Sequence, residues 1–130
     1  MPPEQSAARE AEVILDVVFE RGLLFLVVAN IGDRPAVGVR VKFEQPFTGL
    51  GGERKMHTLN LFRKLEFLAP HKEIRVFLDR SASYFARGEP TTLTADVSWR
   101  TSEGRRCSQV IRHDLDVYRD LAYIDKEAPE

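Results

Sequence analysis

The chain has 130 residues, 43% hydrophobic and 30% charged, the composition of one globular domain with a real core rather than of a disordered segment. Nineteen Lys and Arg against twenty Asp and Glu leave a net charge of −1, which argues against nucleic-acid binding, where clustered cations supply most of the affinity. The single cysteine, Cys107, excludes an internal disulfide, and no apolar run reaches the roughly 20 residues that span a bilayer. The expected setting is therefore cytoplasmic, with no membrane insertion, although a shortened secreted or membrane-anchored protein would read the same way.

Residues 1–11 read as a disordered N-terminal tail and 123–130 as a C-terminal tail, flanking one domain over 12–122. Glu12 to Glu20 is dense in β-branched and aromatic residues, and Arg21-Gly22 turns it into Leu23 to Ile31, apolar on both faces as a central strand is. Asn30 to Pro35 is a loop by its Asn, Gly, Asp and Pro. Val37 to Glu44 alternates, with Val37, Val39, Val41 and Phe43 inward and Arg40, Lys42 and Glu44 outward. Across 46–64, Met56, Leu59, Phe62 and Leu65 recur at helical spacing, so a short helix within 53–64 or an irregular crossover fits as well as a strand. Leu65 to Leu68 and Glu73 to Asp79 are extended, and 80–90 reads as a loop folding Tyr84 and Phe85 back over the core edge. Thr91 to Arg100 sets Leu93, Ala95, Val97 and Trp99 on one face. After a turn at 101–104, Arg105 to Tyr118 returns as a long strand with Cys107, Ile111, Leu115 and Val117 inward. About seven strands joined by loops, without βαβ alternation, predict an all-β, immunoglobulin-like antiparallel sandwich.

Catalytic and metal chemistry find little purchase. His57, His71 and His113 lack ligand spacing, and strand alternation turns His113 away from Asp114 and Asp116. No nucleophile elbow is present, and Cys107 follows the inward stripe. The expectation is no catalytic residue, no metal and no cofactor. Arg100, Arg112, Asp114 and Asp116, on the outer face of the last hairpin with Asp96, Ser98 and Tyr118, form a candidate recognition patch. Its mixed signs suggest a cross-strand charge ladder, each pair contributing a few tenths to about 1 kcal/mol. The short basic pairs Arg54-Lys55 and Arg105-Arg106 read as solvated loop. Phe47, Leu50, Tyr84 and Phe85 are apolar residues in loops; they either expose an interface or seal the ends of the sandwich.

Val28-Ala29-Asn30-Ile31-Gly32, followed by Pro35-Ala36 and Val39-Arg40-Val41, resembles bacterial immunoglobulin-like domains of the adhesion-related (CARDB-like) and fibronectin type III-like kind. Leu68-Ala69-Pro70-His71-Lys72-Glu73-Ile74 is similar to the turn before their next strand, with His71 where glycine is usual. The resemblance extends over about residues 12–120 and implies a sandwich that binds proteins or glycans, without catalytic residues. The function expected is a non-catalytic protein-interaction module or accessory domain, binding a protein partner through loops or an edge strand, self-association included. The alternative is a small-ligand or carbohydrate-binding module using Trp99 or Tyr84 as a stacking platform.

Overall fold

In the computed structural model, which describes residues 8–127, the first pairing follows from a two-residue turn. Val13–Glu20 (β1) and Leu23–Asn30 (β2) are joined through Arg21 and Gly22, both at positive φ (51° and 78°), the twist that suits a tight hairpin. The chain then crosses to a second sheet with Ala36–Phe43 (β3). It passes a two-residue hairpin, Thr48–Gly49 (β4) and Arg54–Lys55 (β5), and one helical turn, Asn60–Arg63 (α1), before Leu65–Leu68 (β6). Glu73–Arg80 (β7) returns to the first sheet and leads into Ser81–Ala86 (α2). Thr92–Thr101 (β8), Arg106–Asp114 (β9) and Asp116–Glu127 (α3) complete the chain.

The strand orders are β1-β2-β7 and β6-β3-β8-β9, every pairing antiparallel, so the predicted all-β sandwich is the observed one. β2 is central in its sheet, as its apolar run requires. Its inner residues Leu24, Leu26 and Val28 meet Val13, Leu15 and Val17 of β1 and face Val39, Val41, Leu93, Ala95, Val97 and Trp99 across the core. Helical spacing at Met56, Leu59 and Phe62 becomes a 3₁₀ turn followed by α1, whose Phe62 plugs the core with Met56 and Phe47.

Four expectations need correction. Within 80–90, expected to be a loop, Arg80 ends β7 and Ser81–Ala86 form the helix α2. The strand expected over 105–118 stops at Asp114, because the Asp114 carboxylate accepts the Asp116 N–H (3.0 Å) and opens α3 as a helix cap does. Val117 therefore lies on that helix, exposed, and the helix runs past residue 122, where the C-terminal tail was expected. The N-terminal tail is docked where it is described. Ala11 is buried, Arg9 N–H donates to Asp33 Oδ2 (2.7 Å), and Asp33 N–H donates to the Arg9 carbonyl (3.0 Å). Gly32 permits this approach, since a Cβ there would fall 2.0 Å from the Glu10 carbonyl oxygen. The remainder of both expected tails, 1–7 and 128–130, lies outside the described residues.

Two side chains from β9 close the open side of the sandwich. Gln109 Nε2 donates to the Val13 carbonyl (2.9 Å) and His113 Nε2 meets the Leu15 carbonyl at 2.7 Å, satisfying main-chain acceptors on the edge of β1. Beside this seam, directly opposite Val13 in the register, Asn30, 1% exposed, uses its whole amide. Oδ1 accepts from Glu12 N–H (3.1 Å) and Gly32 N–H (3.0 Å), and Nδ2 donates to the carbonyls of Arg34 (2.8 Å) and Leu68 (3.2 Å). Removing it leaves four main-chain groups without partners in a place water barely reaches. Asn30→Ala is expected to cost about 3 kcal/mol, read as a drop in the urea midpoint at unchanged slope. A loss below about 1 kcal/mol would mean the four groups find other partners.

Candidate functional site

The outer face of the four-stranded sheet gathers cations that lie far apart in sequence. β3 contributes Arg40 and Lys42, β8 contributes Arg100, and β9 contributes Arg106 and Arg112, all exposed. Register places Arg100 directly opposite Arg106, Arg40 opposite Ser98, Lys42 opposite Asp96, Arg112 opposite Thr94 and Asp114 opposite Thr92. The mixed-sign ladder expected between β8 and β9 is therefore absent. Arg112 and Asp114 meet threonines, and Asp116 has left the strand. Like charges in direct register repel, and among the described residues neither Arg100 nor Arg106 forms an ion pair. Arg100 is held by shape instead. Gly38 sits at a bulge with φ 60°, and a Cβ there would come within 3.0 Å of Arg100 Nη1, so the guanidinium lies on bare backbone. Phe67 (58% exposed) and Val110 (69%) add apolar surface toward the two edges of this face.

Beside β3 the face drops into a groove of about 630 Å³, lined by Arg40, Lys42, Phe43 and Val41 on one side and His57, Phe62, Arg63 and Lys64 on the other. Four formal cations and a histidine line it, with no carboxylate. Its far wall is the 46–64 crossover, anchored by Phe43 against Phe47 (4.8 Å between ring centroids) and Phe62 (5.0 Å). Polar contacts fix the rest of the wall. Buried Asp79, at the β7 bulge, accepts from Arg87 Nη1 (2.5 Å), Arg87 Nη2 donates to the Thr48 carbonyl (3.1 Å), and the Thr48 hydroxyl donates to Glu89. Neither groove nor latch was visible in the sequence, where Arg63-Lys64, Arg87 and the outward cations of β3 belong to separate segments. Outward alternation at Arg40 and Lys42 was the one available signal.

The other expected site residues separate sharply. Phe47 and Tyr84 are fully buried and seal the sandwich end; Phe85 is half-buried beneath the Arg119 guanidinium (4.7 Å), and Leu50 alone of the four is exposed (45%). Trp99, 6% exposed, lies in the core, its indole N–H without a partner among the described residues. Each histidine takes its own structural partner: His57 Nδ1 at Phe47 N (3.4 Å), His71 Nε2 at Asp33 Oδ1 (2.8 Å), and His113 at Leu15. Among the described residues no three metal-ligating side chains gather. The Arg9 N–H, with His71, holds the Asp33 carboxyl below the usual range. On the reverse side, the outer face of the three-stranded sheet carries half-buried Ile14, Val18, Leu23, Phe25 and Phe77.

Residues 4–119 match the family described as a domain of unknown function (DUF8453). No curated protein and no solved structure matches the chain.

Burial, with the nearby Glu89 carboxylate, pushes the Tyr84 hydroxyl well above its ordinary 10.0, and that hydroxyl donates to the Pro90 carbonyl (2.6 Å). A raised folded-state value means that the stability is fully present below pH 10.0 and is lost as pH rises beyond it, because the unfolded chain ionises first. Thermal melts from neutral pH upward should fall once pH passes that value. Tyr84→Phe should remove part of the alkaline slope while costing about 1 kcal/mol at neutral pH. An unchanged slope would show that Tyr84 is not its source.

Proposed function

The chain belongs to DUF8453, a family of unassigned function, and from its surface we propose that it is a non-catalytic, immunoglobulin-like interaction module that holds an acidic protein partner on the outer face of its four-stranded sheet. The observation that carries this reading is the opposed Arg100–Arg106 pair, like charges in direct register that form no ion pair among the described residues. An anionic partner converts that repulsion into charge-assisted, bidentate hydrogen bonds, and arginine is the residue most suited to them. Phe67 and Val110 supply apolar contacts on either side. The fibronectin type III-like resemblance around Asn30 and Val39 supports the same reading. The carbohydrate alternative loses support because Trp99 and Tyr84 are both in the core. Self-association is favoured by a different observation, the half-buried apolar face around Phe25 and Phe77.

The full chain, tagged and recovered from its native cell with quantitative mass spectrometry, tests the main reading against the Arg100→Glu/Arg106→Glu variant. A partner enriched with the native chain and reduced at least tenfold with the variant is expected. Equal recovery moves the contact elsewhere, and a reproducibly solitary native chain overturns the module. For self-association, sedimentation should show a dimer that Phe25→Glu dissociates; a monomer at every concentration ends that reading.

A further inference from the structure

We infer that Arg40, Arg100 and Arg106, on the outer face of the four-stranded sheet, form a socket for one phosphoryl group carried on a hydroxyl side chain of the protein partner. The inference rests on the protein-binding reading above and names the chemical group that the face recognises.

Register builds the socket. Two rows of outward positions cross the sheet side by side, one running Phe67–Val37–Arg100–Arg106 and the next Arg40–Ser98–Ser108. Side chains in direct register stand about 4.5–5.5 Å apart at Cβ, a gap that an arginine side chain spans with ease. Gly38, at the bulge between the rows, has no side chain, and the Arg100 guanidinium lies over it, on the strand that carries Arg40. With Gly38 and Ser98, the three arginines line a depression of about 410 Å³ whose lining contains no carboxylate. All three are exposed, and among the described residues none of them forms an ion pair.

Charge and valence select the ligand. A carboxylate brings one charge and two oxygens, enough to engage two guanidiniums and leave the third unanswered. A phosphomonoester brings three acceptor oxygens and a charge of about −1.5 to −2 at pH 7, one oxygen for each planar fork. The Ser98 hydroxyl adds a neutral donor beside them. The surroundings then limit the ligand to a single anion. In the following row Lys42 stands opposite Asp96 and Asp96 opposite Val110, so a carboxylate and an apolar side chain interrupt the cations. Exposed Phe67 lies in the Arg100 row on the other side. One phosphoryl group with apolar flanks suits a modified side chain in a peptide, whereas the successive phosphates of a nucleic acid would run onto Asp96 and Val110.

The test titrates the whole chain into three fluorescein-labelled nonapeptides, alike except for a central serine, glutamate or phosphoserine between valines, and follows anisotropy. The phosphoserine peptide is expected to saturate and to bind at least tenfold more tightly than the glutamate peptide. Arg40→Gln and Arg106→Gln should each weaken it at least tenfold at an unchanged melting temperature. Arg100→Lys, which keeps the charge and loses the fork, should weaken it at least threefold, and Arg21→Gln, in the β1–β2 turn of the other sheet, less than twofold. No saturation by the phosphoserine peptide, equal binding of the glutamate peptide, or an equal loss with Arg21→Gln would each overturn the socket. Free O-phosphoserine competing as strongly as the peptide, or a ten-nucleotide oligothymidylate binding as tightly, overturns a phosphoryl group borne by a protein. A cellular partner still captured after phosphatase treatment overturns the phosphoryl inference alone. Phosphoserine-peptide binding by a chain that captures no cellular partner overturns the interaction-module reading and leaves the socket.

Discussion

The side-chain amide of Asn30 stands where four stretches of chain converge: the start of β1, the end of β2, the 31–35 loop and the end of β6. The Glu12 and Gly32 N–H groups and the Arg34 and Leu68 carbonyls would otherwise lie in the interior unpaired, at a cost of about 1–3 kcal/mol per group. One planar amide, with two donors and two acceptor directions, satisfies all four. A carboxylate of the same shape would set negative charge against the carbonyls of Arg34 and Leu68, and a leucine would satisfy none. The crossing from the first sheet to the second, and hence the position of β3 with its outward cations, depends on this residue.

From that corner the chain reaches β7 through a turn that shows how local strain is offset. His71 occupies the left-handed region (φ 60°), where glycine is favoured, and its imidazole meets Asp33 at 2.8 Å. The non-glycine residue thus links the β6–β7 turn to the loop after Asn30. At the other end the groove wall is held by an aromatic trio and by Arg87 set between Asp79 and Glu89. A wall fixed by packing and by charged hydrogen bonds has little freedom left to lose on binding, which lowers the entropic cost of any ligand.

Much of the β architecture was legible because period-two alternation is a direct consequence of the pleat. The 12–31 hairpin, the strand containing Val39 and Val41, and Leu93 to Trp99 all fall where their side chains dictate. What alternation could not supply was register. Whether Arg100 faces Asp114 or Arg106 depends on the turn at 102–105, where Thr101 bonds back to Arg105 through both main chain and hydroxyl. The helix α3 was hidden for a related reason: the residues from His113 to Val117 satisfy both a strand pattern and a capped helix start, and local hydrogen bonding at Asp114 decided between them. Net charge misled most. A sum of −1 is silent about cations on strands distant in sequence becoming neighbours on one face.

The bonds from Gln109 and His113 to β1 join residues 96 and 98 positions apart. Closing such long loops is entropically slow, so this seam belongs among the late events of folding, after the local β1–β2 and β8–β9 hairpins have formed. During synthesis, β1 leaves the ribosome early and pairs at once with β2, but its outer edge waits for almost the whole chain. Until Gln109 and His113 arrive, the nascent protein carries an open strand edge, and in that interval mispairing with a neighbouring chain is the main hazard.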